Sequence, residues 1–586
     1  MVVRAVLRKG SYHDSVSLMQ AQRALRDLPG VEEAGIVMGT PANLEMLRAA
    51  SLDAPELARA GPDDLVVVVR AHTEAAALDA LGRIDALLTR RPSAGGEEYL
   101  PKSIRTARAT LEGANLALVS VPGRFAAPVA EEALREGLHV MVFSDNVPVD
   151  DEVRLKALAA QRGLLVMGPD CGTALIGGVG LGFANAVRRG PVGIVAASGT
   201  GLQEVSSLLH RWGSGVSHAL GTGGRDLSDR VGGAAFEAGL AALAADERTR
   251  VIVLLSKPPS AEVAGRVLAM AAGCGKPVVV NFLGAAGRPP VGDVHFATTL
   301  HDAAAMAAAL GGVRVPEPEE SALPALEAFR SAPGARWIRG LYSGGTLCAE
   351  AQVVVRDHVG PVWSNAPLEL QWRLDDPLRS REHTVVDLGA DEFTVGRLHP
   401  MLDPEVRNRR IVEEAADPEV AVVLLDVVLG YGAHPDPAGE VASAVEEAQR
   451  KADRRVVFVA SVCGTDADPQ GHTAQITVLR EAGVHVEETN ARAARFAGRV
   501  AEAVGARTGD APPLAALHAT QGSATVPRVS DAIQRLLRDG PRVVNVGLAL
   551  FEQSLRAQGT PVVSVDWRPP AGGDAEMMNL LAKLGG

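Results

Sequence analysis

The chain is poor in aromatic side chains and in positive charge. Phe, Trp and Tyr make up only 3% of its 586 residues, whereas hydrophobic residues as a whole make up 47%, so its core must be built from aliphatic side chains. This balance is typical of parallel sheets covered by helices, whose strands are continuous runs of Val, Ile and Leu. The net charge of −12 argues against a nucleic-acid partner, because phosphate backbones are bound by clustered Lys and Arg. Small anions are still possible ligands, since helix dipoles attract them locally within an acidic protein.

The chain also has little cysteine and no long apolar run. Its four cysteines lie far apart and show no Cys-x-x-Cys spacing, so we expect neither a disulfide framework nor a metal site. No apolar run approaches the roughly 20 residues that span a bilayer. The first ten residues lack the apolar segment and cleavage site of a signal peptide. We therefore expect a soluble cytoplasmic protein without a membrane partner.

Two short glycine-rich turns are the most informative feature that is present. They read Ser198-Gly-Thr-Gly201 and Ser343-Gly-Gly-Thr346, and each joins an apolar stretch to an amphipathic helix. Glycine lets the backbone approach a ligand, Ser and Thr cap the helix, and the helix N-terminus favours a phosphate or carboxylate. A single turn of this kind is most often only a cap, but two suggest a duplicated unit whose helix ends converge on one anion. The predicted phosphate-binding residues are Ser198, Gly199, Thr200, Gly201, Ser343, Gly344, Gly345 and Thr346.

Alternating apolar strands and helical patterns predict an α/β protein of several domains. Pro- and Gly-containing linkers are predicted near residues 90–97 and between 316 and 334. The predicted domains are a small ferredoxin-like domain at 1–95, a Rossmann-like parallel-sheet domain at 96–189, flavodoxin-like parallel-sheet domains at 190–315 and 335–505, and a linker with a C-terminal tail at 506–586.

From about residue 114 onward, the order of motifs resembles that of succinyl-CoA synthetase and other ADP-forming acyl-CoA synthetases. Gly168-Pro-Asp-Cys-Gly172, the Ser198 turn and Gly221-Thr-Gly-Gly-Arg-Asp226 follow the order of the α-subunit, and residues 335–505 resemble the flavodoxin-like domain of the β-subunit. The whole chain resembles the FdrA branch more closely, on stretches that include Met38-Gly-Thr-Pro-Ala-Asn43, Phe143-Ser-Asp-Asn146 and Val395-Gly-Arg-Leu-His-Pro-Met401. The synthetase resemblance implies two facing helices whose N-termini point at a phosphorylated histidine.

Several positions depart from the synthetase pattern. The loop that carries the phosphohistidine reads Phe282-Leu-Gly-Ala-Ala-Gly-Arg288, without a histidine, and the nearby His295 has the sequence context of a strand. Lys257 takes the place of a glutamate that contacts the phosphohistidine. No ATP-grasp segment is recognisable, and residues 105–113 do not resemble the first phosphate loop of the CoA-binding domain. CoA is therefore a possible but doubtful ligand, and no cofactor is firmly predicted.

The FdrA resemblance implies purine and allantoin breakdown and a multi-subunit oxamate carbamoyltransferase. Carbamoyl phosphate and succinyl phosphate are both acyl phosphates, so one phosphate cradle could serve either substrate. We predict catalytic roles for Lys257 and Arg225, which would supply positive charge to the leaving phosphate, and substrate contacts for Asp426 and His399. Plainer interpretations stay open: a solvated loop lysine, a surface ion pair of Arg225, a helix cap by Asp426, and a loop-stabilising His399.

Three functions fit these observations. The chain is a subunit of a carbamoyl- or acyl-phosphate transferase, an acyl-CoA ligase that uses the ATP-grasp subunit of a partner, or a non-catalytic scaffold or regulatory subunit. CoA binding separates the first two. In each case we expect small anionic substrates, operon-encoded companion subunits and an oligomeric assembly.

Overall fold

The computed structural model describes residues 1–9, 15–39, 41–61, 64–89, 100–285, 287–315, 334–394, 398–452, 454–510, 514 and 524–569. These residues form four β-sheets with helices packed against them. Both predicted linkers fall outside or at the edge of the described residues. Within the described part of the chain, no helix combines the length and apolar character needed to cross a membrane.

The N-terminal domain is a three-stranded antiparallel sheet with helices on both faces, which confirms its ferredoxin-like type. Its central strand is a run of valines because both faces are covered. Val67 and Val69 pack into one hydrophobic cluster, whereas Val66 and Val68 pack into another on the opposite face, as alternation along a strand requires. The elements are β1 (Val2–Arg8), α1 (Ser15–Arg26), β2 (Val31–Met38), α2 (Pro41–Ala49), a 3-10 helix (Pro55–Arg59), β3 (Leu65–Ala71), α3 (Glu74–Gly82) and α4 (Ile84–Thr89), with strand order β1-β3-β2.

The second domain begins as the predicted series of parallel strands and helices. Short strands of this kind, fully buried and aliphatic, are typical of a sheet covered on both faces. Its first elements are α5 (Ile104–Thr110), β4 (Leu116–Val119), α6 (Gly123–Arg135), β5 (His139–Val142), α7 (Val149–Arg162) and β6 (Val166–Met167).

The third domain has a seven-stranded sheet of order β13-β12-β11-β9-β10-β7-β8. Its edge is a hairpin that the sequence reading missed, although the Gly177-Gly178 pair at its turn, with φ of 62° and 90°, is a strong hairpin signal. This hairpin shifts the start of the domain from residue 190 to about 173. The elements are β7 (Thr173–Ile176), β8 (Val179–Gly182), β9 (Arg189–Ala197), α8 (Gly199–Arg211), β10 (Val216–Gly221), α9 (Ala234–Ala245), β11 (Val251–Ser256), α10 (Ala261–Ala272), β12 (Val278–Phe282), β13 (Val294–Phe296) and α11 (Leu300–Leu310).

The fourth domain is a five-stranded parallel sheet of order β15-β14-β16-β17-β18. Its strands lie where the apolar runs predict them. The elements are β14 (Trp337–Tyr342), α12 (Gly345–Val359), a 3-10 helix (Leu370–Trp372), β15 (Thr384–Asp387), α13 (Asp391–Thr394), α14 (Glu405–Ala416), β16 (Val420–Val428), α15 (Pro437–Lys451), β17 (Val457–Cys463), α16 (His472–Glu481), β18 (His485–Glu487) and α17 (Asn490–Ala503).

The third and fourth domains share one hydrophobic core. Leu202 and Leu208 of α8 belong to the same buried cluster as Leu347 and Val355 of α12. Helices α8, α11, α12 and α17 form this layer between the two sheets. The shared core fixes the N-termini of α8 and α12 relative to each other.

The C-terminal segment completes the second domain. It contains α18 (Asp531–Asp539), β19 (Val543–Val546), α19 (Ala549–Ala557) and β20 (Val562–Ser564). Strand β19 pairs with β4 in parallel, from Val543 opposite Leu116 to Val546 opposite Val119, and the sheet order is β20-β19-β4-β5-β6. The two strands lie where the sequence predicts them, but the assignment of residues 506–586 to a linker and tail needs correction, because residues 531–564 are part of the Rossmann-like sheet.

Candidate functional site

The N-termini of α8 and α12 meet at the boundary of the third and fourth domains. Ser198 caps α8, since its Oγ accepts a hydrogen bond from the Gly201 N–H at 3.1 Å. The same hydroxyl donates to Thr346 Oγ1, in the first turn of α12, at 2.8 Å. The two glycine-rich turns, 145 residues apart in the chain (343 − 198), are therefore in direct contact.

The two turns also approach each other at Gly344. This glycine holds the N-cap position of α12, without a side-chain capping hydrogen bond. A Cβ atom at Gly344 would lie 2.8 Å from Thr200 Oγ1. A side chain there would push the helix ends apart, which explains the glycine.

Not all backbone donors of the two turns are free for a ligand. The N–H groups of Ser343 and Gly344 each donate to a carboxylate oxygen of Asp426 at 2.8 Å, and the Gly201 N–H is engaged by Ser198. The prediction that the N–H groups of residues 199–201 and 344–346 contact a phosphate therefore needs correction at Gly201 and Gly344. No partner within the described residues takes the N–H groups of Gly199, Thr200, Gly345 and Thr346.

One glycine of each helix end is partly exposed. Gly199 and Gly345 are half-buried, whereas Thr200 and Thr346 are buried. Because positive helix ends attract anions, an anion placed here would meet two dipoles at once. We call the residues Gly199, Thr200, Gly345 and Thr346 the cradle.

Asp426 supports the cradle from behind and does not face a ligand. Its side chain is fully buried at the end of β16. Burial raises its pKa, while Arg407 and the two backbone N–H groups oppose the shift. Arg407 also donates to Ser343 Oγ at 2.6 Å and to the Asp426 carbonyl at 2.9 Å. The capping interpretation of Asp426 is therefore the one that its contacts favour, and the proposed substrate contact is dropped.

Lys257 lies beside the cradle, at the end of β11. Its Nζ is 3.7 Å from Asp387 Oδ2. It would also lie 2.9 Å from a Cβ placed at Gly345. The lysine side chain is 40% exposed, whereas that of Asp387 is 6% exposed. The ammonium group is thus partly exposed beside the cradle and is paired with a buried carboxylate. An ordinary solvated lysine has no such partner.

His399 also borders the site. Its Nδ1 accepts a hydrogen bond from the Met401 N–H at 3.2 Å, its ring is 5.5 Å from that of Phe183, and its Nε2 would lie 2.7 Å from a Cβ at Gly389. Burial lowers the pKa of His399 to about 4, so the ring is neutral at physiological pH. Its hydrogen bond to Met401 fits the loop-stabilising interpretation, and a substrate contact remains a prediction.

Arg225 is engaged elsewhere. Its guanidinium donates to the Val147 carbonyl at 2.8 Å and lies 3.1 Å from Glu152 Oε2. Glu152 is also paired with the buried Lys156, which in turn pairs with Asp226 at 2.8 Å. These contacts join the second and third domains, so the described contacts of Arg225 support a structural ion pair and no longer support its predicted catalytic role.

Two carboxylates near Lys257, those of Asp387 and Asp170, were not predicted from the sequence as site residues. Asp387 ends β15, a position that a strand-end rule could have marked. Asp170 lies in the Gly168–Thr173 loop with a left-handed φ of 54° and an exposed side chain. The pKa of Asp170 is raised, first by desolvation of its carboxylate and then by the nearby charge of Asp145. The charge of Lys257 opposes this shift.

Two family models match parts of this chain. A model described as CoA-ligase matches residues 341–500, which include the second turn, and one described as "AllF, heavy metal-associated domain" matches residues 1–101. Residues 1–101 contain no cysteine, and no group of three or more potential ligands among the described residues could hold a metal ion. The thiolate donors that soft heavy metals prefer are thus missing from these residues.

Comparison with known proteins finds one relative along most of the chain and others along part of it. The chain is 43% identical to YahF of Escherichia coli (strain K12) over 83% of its own length and 96% of that protein. It is 30% identical to the succinate–CoA ligase [ADP-forming] subunit alpha 2 of Archaeoglobus fulgidus, over 35% of this chain and 67% of that subunit. Among solved structures, the dinucleotide-forming acetyl-coenzyme A synthetase 1 of Ca. Korarchaeum cryptofilum in its apo form is 16% identical over 67% of this chain and 84% of that chain, with a TM-score of 0.25. From these two sequence relationships and the two family models, the chain belongs to the FdrA family of succinyl-CoA synthetase-like proteins.

Proposed function

We propose that this protein binds an acyl phosphate between the N-termini of α8 and α12 and acts as a subunit of a ligase- or transferase-type enzyme. The observation that carries the proposal is the contact of Ser198 with Thr346, which brings two helix ends to one point. Around that point lie the Lys257 ammonium and four N–H groups that have no partner among the described residues.

The chemical task of such a site is to stabilise the phosphate as it leaves the acyl carbon. When an acceptor attacks the acyl carbon, the bond between that carbon and the phosphate oxygen breaks, and the phosphate leaves with the electron pair. Fixed N–H donors and a cation stabilise this developing charge. The cradle and Lys257 would supply both without a nucleotide in this chain.

An acyl-CoA ligase reaction with a partner ATP-grasp subunit is the first candidate. The CoA-ligase match and the resemblance to a succinate–CoA ligase subunit support it. The completed Rossmann-like sheet supports it as well, because its strand order reverses between β4 and β19, and ligands of open α/β sheets bind at such a point. There the Leu548 N–H donates to Ser120 Oγ at 2.8 Å, and Gly547 has a φ of 125°. CoA was doubted because residues 105–113 do not resemble the first phosphate loop of the CoA-binding domain, and the C-terminal segment adds a further strand–turn–helix to the same sheet.

Carbamoyl transfer to or from oxamate is the second candidate. Its support is the absence of histidine from residues 282–288, together with Lys257 beside the cradle. An acyl phosphate that arrives preformed needs no phosphohistidine. Carbamoyl phosphate would donate its carbamoyl group to the oxamate nitrogen, and inorganic phosphate would leave.

The experiment uses the protein co-purified with its co-expressed operon neighbours. Phosphate release is measured with carbamoyl phosphate and oxamate, and in parallel with ATP, CoA and succinate. Oxamate-dependent release without nucleotide favours the transferase, whereas release that needs both ATP and CoA favours the ligase.

The Gly199→Asp variant tests the cradle itself. A Cβ at Gly199 would have no neighbour closer than 3.7 Å, so the substitution fits but places a negative charge at the helix end. We expect phosphate binding and both activities to fall at least tenfold. Full activity of this variant would instead favour a scaffold role for the chain.

A further inference from the structure

Asp387 is the buried carboxylate that faces the cradle. Its side chain is held in place at the end of β15, because Oδ1 accepts a hydrogen bond from the Gly389 N–H at 3.0 Å. Its backbone is fixed by Asn365, whose side-chain amide accepts from the Asp387 N–H and donates to the Asp387 carbonyl, both at 2.9 Å. The carboxylate therefore cannot turn away from the site without losing the hydrogen bond from the Gly389 N–H.

The second oxygen of Asp387 occupies the space in front of α12. Oδ2 is the atom nearest to Lys257, and a Cβ at Gly345 would clash with it. Only glycine fits at this point of the helix end. An anion that reaches the Gly345 N–H therefore comes next to the carboxylate and to the lysine.

Among the described residues, Lys257 is the main positive charge that acts on Asp387. The other titratable groups that act on it or lie near it are Asp426, Glu392 and Cys348, together with the neutral His399. Burial raises the pKa of Asp387, and Lys257 is the largest influence that opposes the shift. A bound anion would draw on the same lysine and add a negative charge beside the carboxylate, and both effects favour the protonated carboxyl.

We propose that Asp387 is the internal counter-ion of Lys257 and takes up one proton when a dianionic phosphoryl group binds in the cradle. The proton comes from solvent and is held on Oδ2, which then donates a hydrogen bond to the anion instead of repelling it. No other bond is made or broken in this step. This inference rests on the proposed function, since it requires that an anion binds at Gly345.

The consequence is a defined pH dependence. Because the bound state holds one more proton than the free state, anion affinity rises as pH falls through the range in which free Asp387 is ionised. The limiting slope is tenfold per pH unit for one proton. Asp387 is thus a positioning residue for Lys257 in the free protein and a hydrogen-bond donor in the complex.

Sulfate is the probe, because its charge is constant over the working pH range whereas phosphate itself titrates. Calorimetry of sulfate binding at one pH, in two buffers of different ionisation enthalpy, counts the protons taken up. We expect about one proton for the wild type at a pH where free Asp387 is ionised, and an affinity that falls as pH rises. The Asp387→Asn variant should bind sulfate with no proton uptake, independently of pH, and more tightly than the wild type at high pH.

Glu481→Gln is the control, since Glu481 is exposed and is not among the groups that act on Asp387. It should keep the proton uptake. Sulfate binding by the wild type without proton uptake would overturn this inference and leave the cradle standing. Failure of both the wild type and Asp387→Asn to bind sulfate or phosphate would overturn the proposed function together with it. The wild-type measurement decides the matter even if the variant does not fold.

Discussion

Glu204 and Glu350 hold the third and fourth domains together by reciprocal capping. They occupy equivalent positions, six residues after the capping residues Ser198 and Gly344. Glu350 accepts a hydrogen bond from the Leu300 N–H, at the start of α11 in the third domain, at 2.6 Å. Glu204 accepts one from the Asn490 N–H, at the start of α17 in the fourth domain, at 3.3 Å. Each domain thus supplies a carboxyl oxygen that accepts a hydrogen bond from a helix end of the other, and these bonds join the two domains beneath the cradle.

This interlock predicts a loss of stability as pH rises. Burial raises the pKa of Glu350 to about 8 from an ordinary 4.5, and Glu204 adds to the shift, although the hydrogen bond from Asn490 opposes it. Between these values the unfolded chain has released the proton that the folded protein retains, so the free energy of unfolding falls from about pH 4.5 to about pH 8. Urea unfolding of the wild type and Glu350→Gln across this range measures the effect. The variant should show a flatter profile, whereas exposed Glu481→Gln should follow the wild type, and equal slopes for Glu350→Gln and the wild type would contradict the prediction.

The cradle predicts a strict need for glycine at 345. In Gly345→Ala the new methyl group would collide with the Asp387 carboxylate and approach Lys257, so phosphate affinity should fall at least tenfold. Gly82→Ala is the matched control, because it also lies in a helix and its Cβ would have no neighbour within 4 Å. Isothermal titration with phosphate measures both, and unchanged binding by Gly345→Ala would argue against an anion at this helix end.

The contact between Ser198 and Thr346 predicts a measurable coupling across the two domains. Ser198→Ala, Thr346→Val and the double variant form a double-mutant cycle for their hydrogen bond. We expect a coupling free energy of about 1 kcal/mol in chemical unfolding. A coupling near zero would mean that the two hydroxyl groups act independently, and Ser443→Ala, at an exposed helix site, serves as a reference for serine removal.

The completed sheet predicts that the second domain fails without the C-terminal strands. Deletion of residues 541–586 would expose the buried edge of β4, so proteolysis should cut within residues 100–167 much faster than in the full chain. Val544→Asp tests the same point without truncation, because Val544 is fully buried opposite Ala117. An unpaired buried charge there should lower the free energy of unfolding by roughly several kcal/mol. Deletion of residues 570–586 alone is the control, and equal protease resistance of the 541–586 deletion would show that the domain folds without these strands.

The sequence predicts the parallel sheets well because their signal is local. Runs such as Val251–Leu255 and Val422–Leu425 are apolar along their whole length, and only strands covered on both faces require this. The meeting of the two turns was also predicted, from the likeness of their sequences and from the two facing helices that the synthetase resemblance implies.

Long-range partners were not predictable in the same way. The strand at Val543–Val546 is evident from its apolar residues, but nothing local indicates that it pairs with Leu116–Val119. Likewise, Asp426 and Asp387 have similar sequence contexts at strand ends. Only the structure shows that Asp426 accepts hydrogen bonds from the backbone whereas Asp387 faces Lys257.

The order in which the second domain is assembled has a consequence for its biosynthesis. The Arg542 N–H, at the start of the C-terminal unit, is bonded to the Asn115 side chain, 427 residues earlier in the chain. At about 5–20 residues per second, a ribosome needs on the order of 20–90 s to synthesise the intervening segment. During that time β4 has no neighbour on one side while the third and fourth domains are made and can already fold. The nascent chain thus carries an open strand edge until its last part emerges, and this edge is where a chaperone, or an incorrect partner, would bind first.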